Sequence, residues 1–92
     1  MNKAKSISLS DIVSILSAVT DKNVESIKVT DYLVKDLDLS SIEIIDFIFE
    51  LERYYSSDIK ISDFFNETNM SSTDTYRDFS IALVIKIVEK KL

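Results

Sequence analysis

Apolar side chains recur along most of this chain with the spacing of helices and almost nowhere with the alternation of strands. Ile12, Ile15, Leu16 and Val19 stand at i, i+3, i+4 and i+7, which is one face of a helix. Ser8 or Ser10 is placed to cap it, so a first helix is expected from there to about Val19. A clearer pattern begins at Ser40. Glu43 follows three residues later, the spacing of a capping box, and the helix is expected to run to about Tyr55. A short third helix is expected from Ser62 or Asp63, carrying Phe64 and Phe65. Residues 66–74 are polar and read as a turn. The last helix is expected from Thr73 or Asp74 to about Lys90, with Tyr76, Phe79, Leu83 and Ile87 facing inward. Lys86, Lys90 and Lys91 stand near its C-terminus, where the helix dipole favours cations. The alternating stretches Ile27-Lys28-Val29 and Ile59-Lys60-Ile61 are too short for strands. The fold class is therefore all-α, a four-helix arrangement in one domain over residues 1–92.

Residues 20–39 form a long first connection. Its apolar members Val24, Ile27, Val29, Tyr32, Leu33 and Leu37 predict a loop packed down by its own side chains, with a helical turn over residues 32–36. The second helix carries more apolar surface than one face needs. On a helical wheel Ile44, Phe47, Ile48, Leu51 and Tyr55 form the core stripe. Glu43, Asp46, Glu50 and Arg53 lie opposite. Ile42, Ile45 and Phe49 form a third group beside the acids. Two readings stay open on pattern alone. Either the helix is central and buries all of them, or the third group is an exposed apolar patch rimmed by carboxylates, the mark of a protein-binding site.

Composition narrows the chemistry. The 92 residues include no Cys, His, Gly, Pro or Trp. Thiol nucleophiles, Cys-based zinc sites, the usual general base and glycine-rich phosphate loops are all excluded, so a self-contained catalyst is not expected. Asp36, Asp38 and Ser40 look like the start of a calcium loop, but Ser41 stands where that loop needs Gly and Phe47 where it needs Glu. The net charge is −5, and it is uneven: residues 31–67 hold ten acids against three basic residues. Nucleic acid is a poor partner for such a chain, whereas a basic protein surface would be steered toward it. No secretory signal or apolar run long enough for a membrane span is visible, and a cytoplasmic protein is expected.

The stretch Asp36-Leu37-Asp38-Leu39-Ser40-Ser41-Ile42-Glu43-Ile44-Ile45-Asp46-Phe47 resembles the signature of acyl carrier proteins, D-L-G-x-D-S-L-x-x-V-E-L. Leu51-Glu52 stands where that family has a Leu-Glu pair. The resemblance spans roughly Ser10 to Lys90, and Ile59 to Phe79 is similar to the discrete D-alanyl and peptidyl carriers, with their longer link before the last helix. Three positions depart from the pattern: Ser40 replaces Asp, Ile42 replaces Leu, and Asp38 replaces Gly.

The resemblance implies a bundle of acyl-carrier type with a long first loop and a short third helix. It implies a covalent 4′-phosphopantetheine on Ser41, with Ser40 as the fallback, which would make the chain a phosphoprotein. The implied function is to hold an acyl or aminoacyl group as a thioester on that arm, in a pathway such as fatty acid or polyketide biosynthesis. Ile42, Glu43, Ile45, Asp46, Phe49 and Glu50 match the family's partner-docking face. The implied partners are a phosphopantetheinyl transferase and the enzymes that load, condense or transfer the cargo, and the default state is a monomer. The rival reading is a carrier-like interaction module that is never modified. A small helical hydrolase or ligand-binding bundle is a more distant rival. Ser40 as a helix cap is expected under every reading.

Overall fold

The structure is a computed structural model and describes residues 7–68 and 79–92. Its four helices are α1 (Leu9–Val19), α2 (Ser41–Tyr55), α3 (Ile61–Thr68) and α4 (Ile81–Lys91). Among the described residues there is no strand, only one isolated bridge between Tyr32 and Ser80. The architecture is the expected all-helical one.

Each helix start has a chemical reason. Ser8 is extended and its hydroxyl accepts the Asp11 N–H, which starts α1. Ser40 does the same for the Glu43 N–H, and Glu43 returns its carboxylate to the Ser40 N–H, which completes the capping box of α2. At α3 the Asp63 carboxylate accepts the Lys60 N–H at 2.9 Å. This helix begins at Ile61, slightly ahead of expectation, and continues to Thr68, so residues 66–68 are helical and not a turn.

The last helix departs most from expectation. Ser80 is extended and caps the Leu83 N–H, so α4 begins at Ile81. Phe79 precedes the helix, and its carbonyl accepts the Leu33 N–H at 2.9 Å. With Phe79 off the helix, the inward face changes phase: Ile81, Val84, Ile87 and Val88 are the buried residues of α4, and Leu83 is half-buried. Thr73, Asp74 and Tyr76, the expected first turn, lie outside the described residues.

The long connection is packed by some of its expected anchors, with Leu37 half-buried, whereas Val29 and Tyr32 are exposed. Val24, Ile27, Leu33 and Leu39 are buried in one cluster with Ile12, Leu16, Phe47 and Leu51. Its backbone is also stitched to the start of α4. Besides the Leu33–Phe79 bond, Ile81 N–H donates to Asp31 O and Ala82 N–H to Val29 O, both at 2.9 Å. Phe79 closes the core from the other side, its ring 5.2 Å from Phe64 and 5.6 Å from Phe65. Thus α1 packs on α2 and α3 on α4, and the loop ties the two ends of the fold together just before Ser40.

Among the described residues two have left-handed backbone without being glycine: Asp38 with φ 56° and Ser56 with φ 52°. Ser56 ends α2, and its N–H donates to Glu52 O. A Cβ in this region costs about 1–2 kcal/mol, a cost glycine does not carry. Replacing Ser56 with Gly is therefore expected to raise the unfolding free energy by about 0.5–1 kcal/mol, net of the entropy glycine adds to the unfolded chain. A urea midpoint that stays put or falls would show that the turn is not strained.

Candidate functional site

The site is built around the first turn of α2. The chain reaches it through a hydrogen-bonded turn over residues 33–37. Asp36 and Leu37 N–H groups both donate to Tyr32 O, Asp38 N–H to Val34 O and Leu39 N–H to Leu33 O. The left-handed Asp38 then redirects the backbone, and buried Leu39 anchors it before Ser40. This accounts for one departure from the acyl-carrier pattern. The position where that pattern has Gly is one that needs positive φ, and Asp is among the few other residues that tolerate it.

Ser40 and Ser41 have different environments. The Ser40 hydroxyl is engaged as the cap, accepting the Glu43 N–H at 3.1 Å. Ser41 is the first residue of α2 and is exposed. The backbone N–H groups of Ser41 and Ile42 open the helix, where no intrahelical acceptor exists for them. An exposed hydroxyl therefore stands beside free donors at the positive end of the helix dipole.

Glu43 is held from three sides. Its carboxylate accepts the Ser40 N–H at 2.8 Å and lies 3.2 Å from the Lys22 ammonium. The Thr20 side chain stands beside it and helps to lower its pKa, while Thr20 Oγ1 accepts the Lys22 N–H at 3.2 Å. The Ser40 N–H foremost, then the Thr20 hydroxyl and the Lys22 charge, lower its pKa from 4.5 to about 2, against a partial opposing effect of burial. The Glu43 side chain is only 19% exposed. Lys22 and Thr20 have no signal in the sequence, since nothing in local spacing pairs positions some twenty residues apart.

The third group of apolar residues on α2 is not core. Ile42 is 71% exposed, Phe49 58% and Ile45 38%, whereas Ile44, Phe47, Ile48 and Leu51 are buried. Tyr55 of the expected core stripe is half-buried. The central-helix reading therefore fails, and the exposed apolar patch stands. It continues into a groove of about 340 Å³ between α2 and α3, lined by Ile45, Ile48, Phe49, Ile59, Ile61 and Phe65 together with Glu52 and Lys60. Sequence reading missed the far wall of this groove, because Ile59 and Ile61 belong to no long periodic segment.

The acids beside the patch are not equivalent. Glu50 lies 3.2 Å from Arg53 in an exposed pair three residues apart, which is weak in water. Asp46 is exposed and forms no ion pair or hydrogen bond with the described residues. No group of three or more metal-ligating side chains gathers among the described residues, and no described helix is long and apolar enough to cross a membrane.

Over residues 10–73 the chain matches the family model of the phosphopantetheine attachment site. The chain belongs to this family. It is a carrier family, and its members hold 4′-phosphopantetheine covalently, in agreement with the resemblance to acyl carrier proteins. No curated protein and no solved structure matches the chain. The local geometry fits such an arm. The exposed Ser41 hydroxyl offers an ester oxygen, the first N–H groups of α2 favour a phosphodiester, and the neighbouring surface is apolar.

The capping carboxylate gives a testable pH dependence. A lowered pKa means that Glu43 binds its proton less readily in the folded state. Its stabilisation is therefore complete above the ordinary value of 4.5 and is lost as the pH falls toward 2. The stability gap between the native chain and Glu43→Gln should be widest near neutral pH and should close through that window, read from urea midpoints at several pH values. A gap that does not change with pH would show that the charge of Glu43 contributes nothing.

Proposed function

We propose that this member of the phosphopantetheine attachment-site family is a discrete carrier protein modified at Ser41. It holds an acyl or aminoacyl group as a thioester on the arm and presents it to partner enzymes in the cytoplasm, and is not itself a catalyst. The observation that carries the assignment to Ser41 is the division of labour between the two serines. Both serines are exposed, but the Ser40 hydroxyl accepts the capping N–H of Glu43, whereas the Ser41 hydroxyl makes no hydrogen bond with the described residues.

When bound, the arm supplies the thiol, which is why a chain without Cys or His can serve this role. The residues of the chain do the rest. Ser40 and Glu43 hold the first turn open to solvent. The Ser41 and Ile42 N–H groups face the phosphodiester. Ile42, Ile45 and Phe49, with Asp46 and Glu50, offer partner enzymes a surface next to the modified residue. Those partners are a phosphopantetheinyl transferase and the enzymes that load and receive the cargo.

Ser40 in place of Asp does not weaken the local structure that modification needs. Serine and aspartate are comparable helix caps, and Ser40 makes the capping bond. The test is the intact mass after incubation with coenzyme A, magnesium and a broad-specificity phosphopantetheinyl transferase. A gain of one phosphopantetheine unit is expected in the native chain and in Ser40→Ala, and no gain in Ser41→Ala. A gain lost in Ser40→Ala and kept in Ser41→Ala would move the site. No gain in any of them, with the helical circular dichroism intact, would favour the unmodified interaction module.

A further inference from the structure

The acidic middle of the chain points to a basic partner, but the surface next to Ser41 does not. We propose that partner enzymes grip α2 chiefly through an apolar ridge, with Asp46 beside the stripe and Glu52 at the groove as the carboxylates that form no ion pair with the described residues and so remain to meet a partner cation. This rests on the docking role given to α2 above and specifies the chemistry of what docks.

The argument is one of charge and shape. Starting one residue after Ser41, Ile42, Ile45 and Phe49 expose apolar surface over about 11 Å of helix, at 1.5 Å per residue. Ile45 and Phe49 belong also to the α2–α3 groove, so the stripe and the groove form one continuous apolar surface. A patch of this kind on a small chain marks an interaction site.

The acids at its edge are already matched. A partner cation approaching Glu43 would meet the Lys22 ammonium, 3.2 Å from the same carboxylate. It would have to displace a cation while competing with the Ser40 N–H. At Glu50 it would meet Arg53. Farther along, Asp58 is paired with Lys60 and Asp63 with Lys91. Four of the ten acids of residues 31–67 thus have a cation among the described residues of the chain itself, among them Glu43 and Glu50 beside the stripe. A strongly basic docking surface would face Lys22 and Arg53 as like charges. An apolar ridge meets no such opposition and fills the groove.

The test uses the full chain in its unmodified form and the broad-specificity phosphopantetheinyl transferase as the probe. The KM for the carrier is measured at low and high sodium chloride, from about 0.05 to about 0.5 M, a range over which exposed charges become screened. The expected KM changes less than about threefold across that range, whereas Ile45→Ser and Phe49→Ser each raise it about tenfold, the size typical of an apolar anchor. Both positions are exposed, and circular dichroism checks that the variants stay folded. Lys22→Met, which frees Glu43, should make the KM more sensitive to salt than in the native chain. A native KM that climbs tenfold or more with salt, or serine variants that leave it within twofold, overturns the proposal. If the native chain accepts no arm at all, it is the carrier reading that falls, and the two failures are thereby separate.

Discussion

A chain with neither glycine nor proline closes many of its turns with side chains, and here carboxylates share the work with hydroxyls such as those of Ser8, Ser40 and Ser80. Asp31 accepts the Lys28 N–H, Asp36 the Tyr32 N–H, Glu43 the Ser40 N–H and Asp63 the Lys60 N–H, all between 2.8 and 2.9 Å. Three of these turns also receive the return backbone bond, from the Asp31, Asp36 and Asp63 N–H groups. Each closure satisfies donors that would otherwise be left at the edge of a helix or loop. The connection between α1 and α2 depends on them, and so does the placement of the exposed serine at its end.

This changes the meaning of the acidic middle segment. Read as a sequence, ten acids against three bases look like a surface for a basic partner. In the fold, several of those carboxylates hold backbone donors or cations of the same chain. The apolar residues of α2 show the reverse. A stripe that could have been core is solvent-facing, because α2 turns only Ile44, Phe47, Ile48 and Leu51 fully into the core. Around Ser41, then, Glu43 and Glu50 are engaged by cations at the surface while an apolar stripe faces solvent.

The parts of the fold legible in the sequence are those governed by local chemistry. The start of α2 was readable because Ser40 and Glu43 complete a reciprocal cap within four residues, and α1 because Ser8 stands directly before its periodic stretch. The start of α4 was not. Phe79 continues the helical spacing of the residues around it, but its carbonyl is taken by Leu33, a partner over forty positions away. The same limit hid Lys22 at Glu43 and the Ile59–Phe65 wall of the groove. The candidate Ser41 was legible from the motif, and its separation from Ser40 required knowing which hydroxyl the cap engages.

The identity of the cap has an electrostatic consequence for the attached state. A serine hydroxyl carries no charge at any working pH, so it lends α2 its cap without adding a negative neighbour. The arm proposed for Ser41 would place a phosphodiester, with one negative charge, on the adjoining residue. Set about 5–6 Å from an aspartate instead, it would be repelled by about 1–3 kcal/mol at surface dielectric values. Glu43, the next acid along, is balanced by Lys22. The cap itself would therefore add no repulsion to an ester on Ser41, and the nearest unpaired carboxylate before it among the described residues is that of Asp38, three residues away.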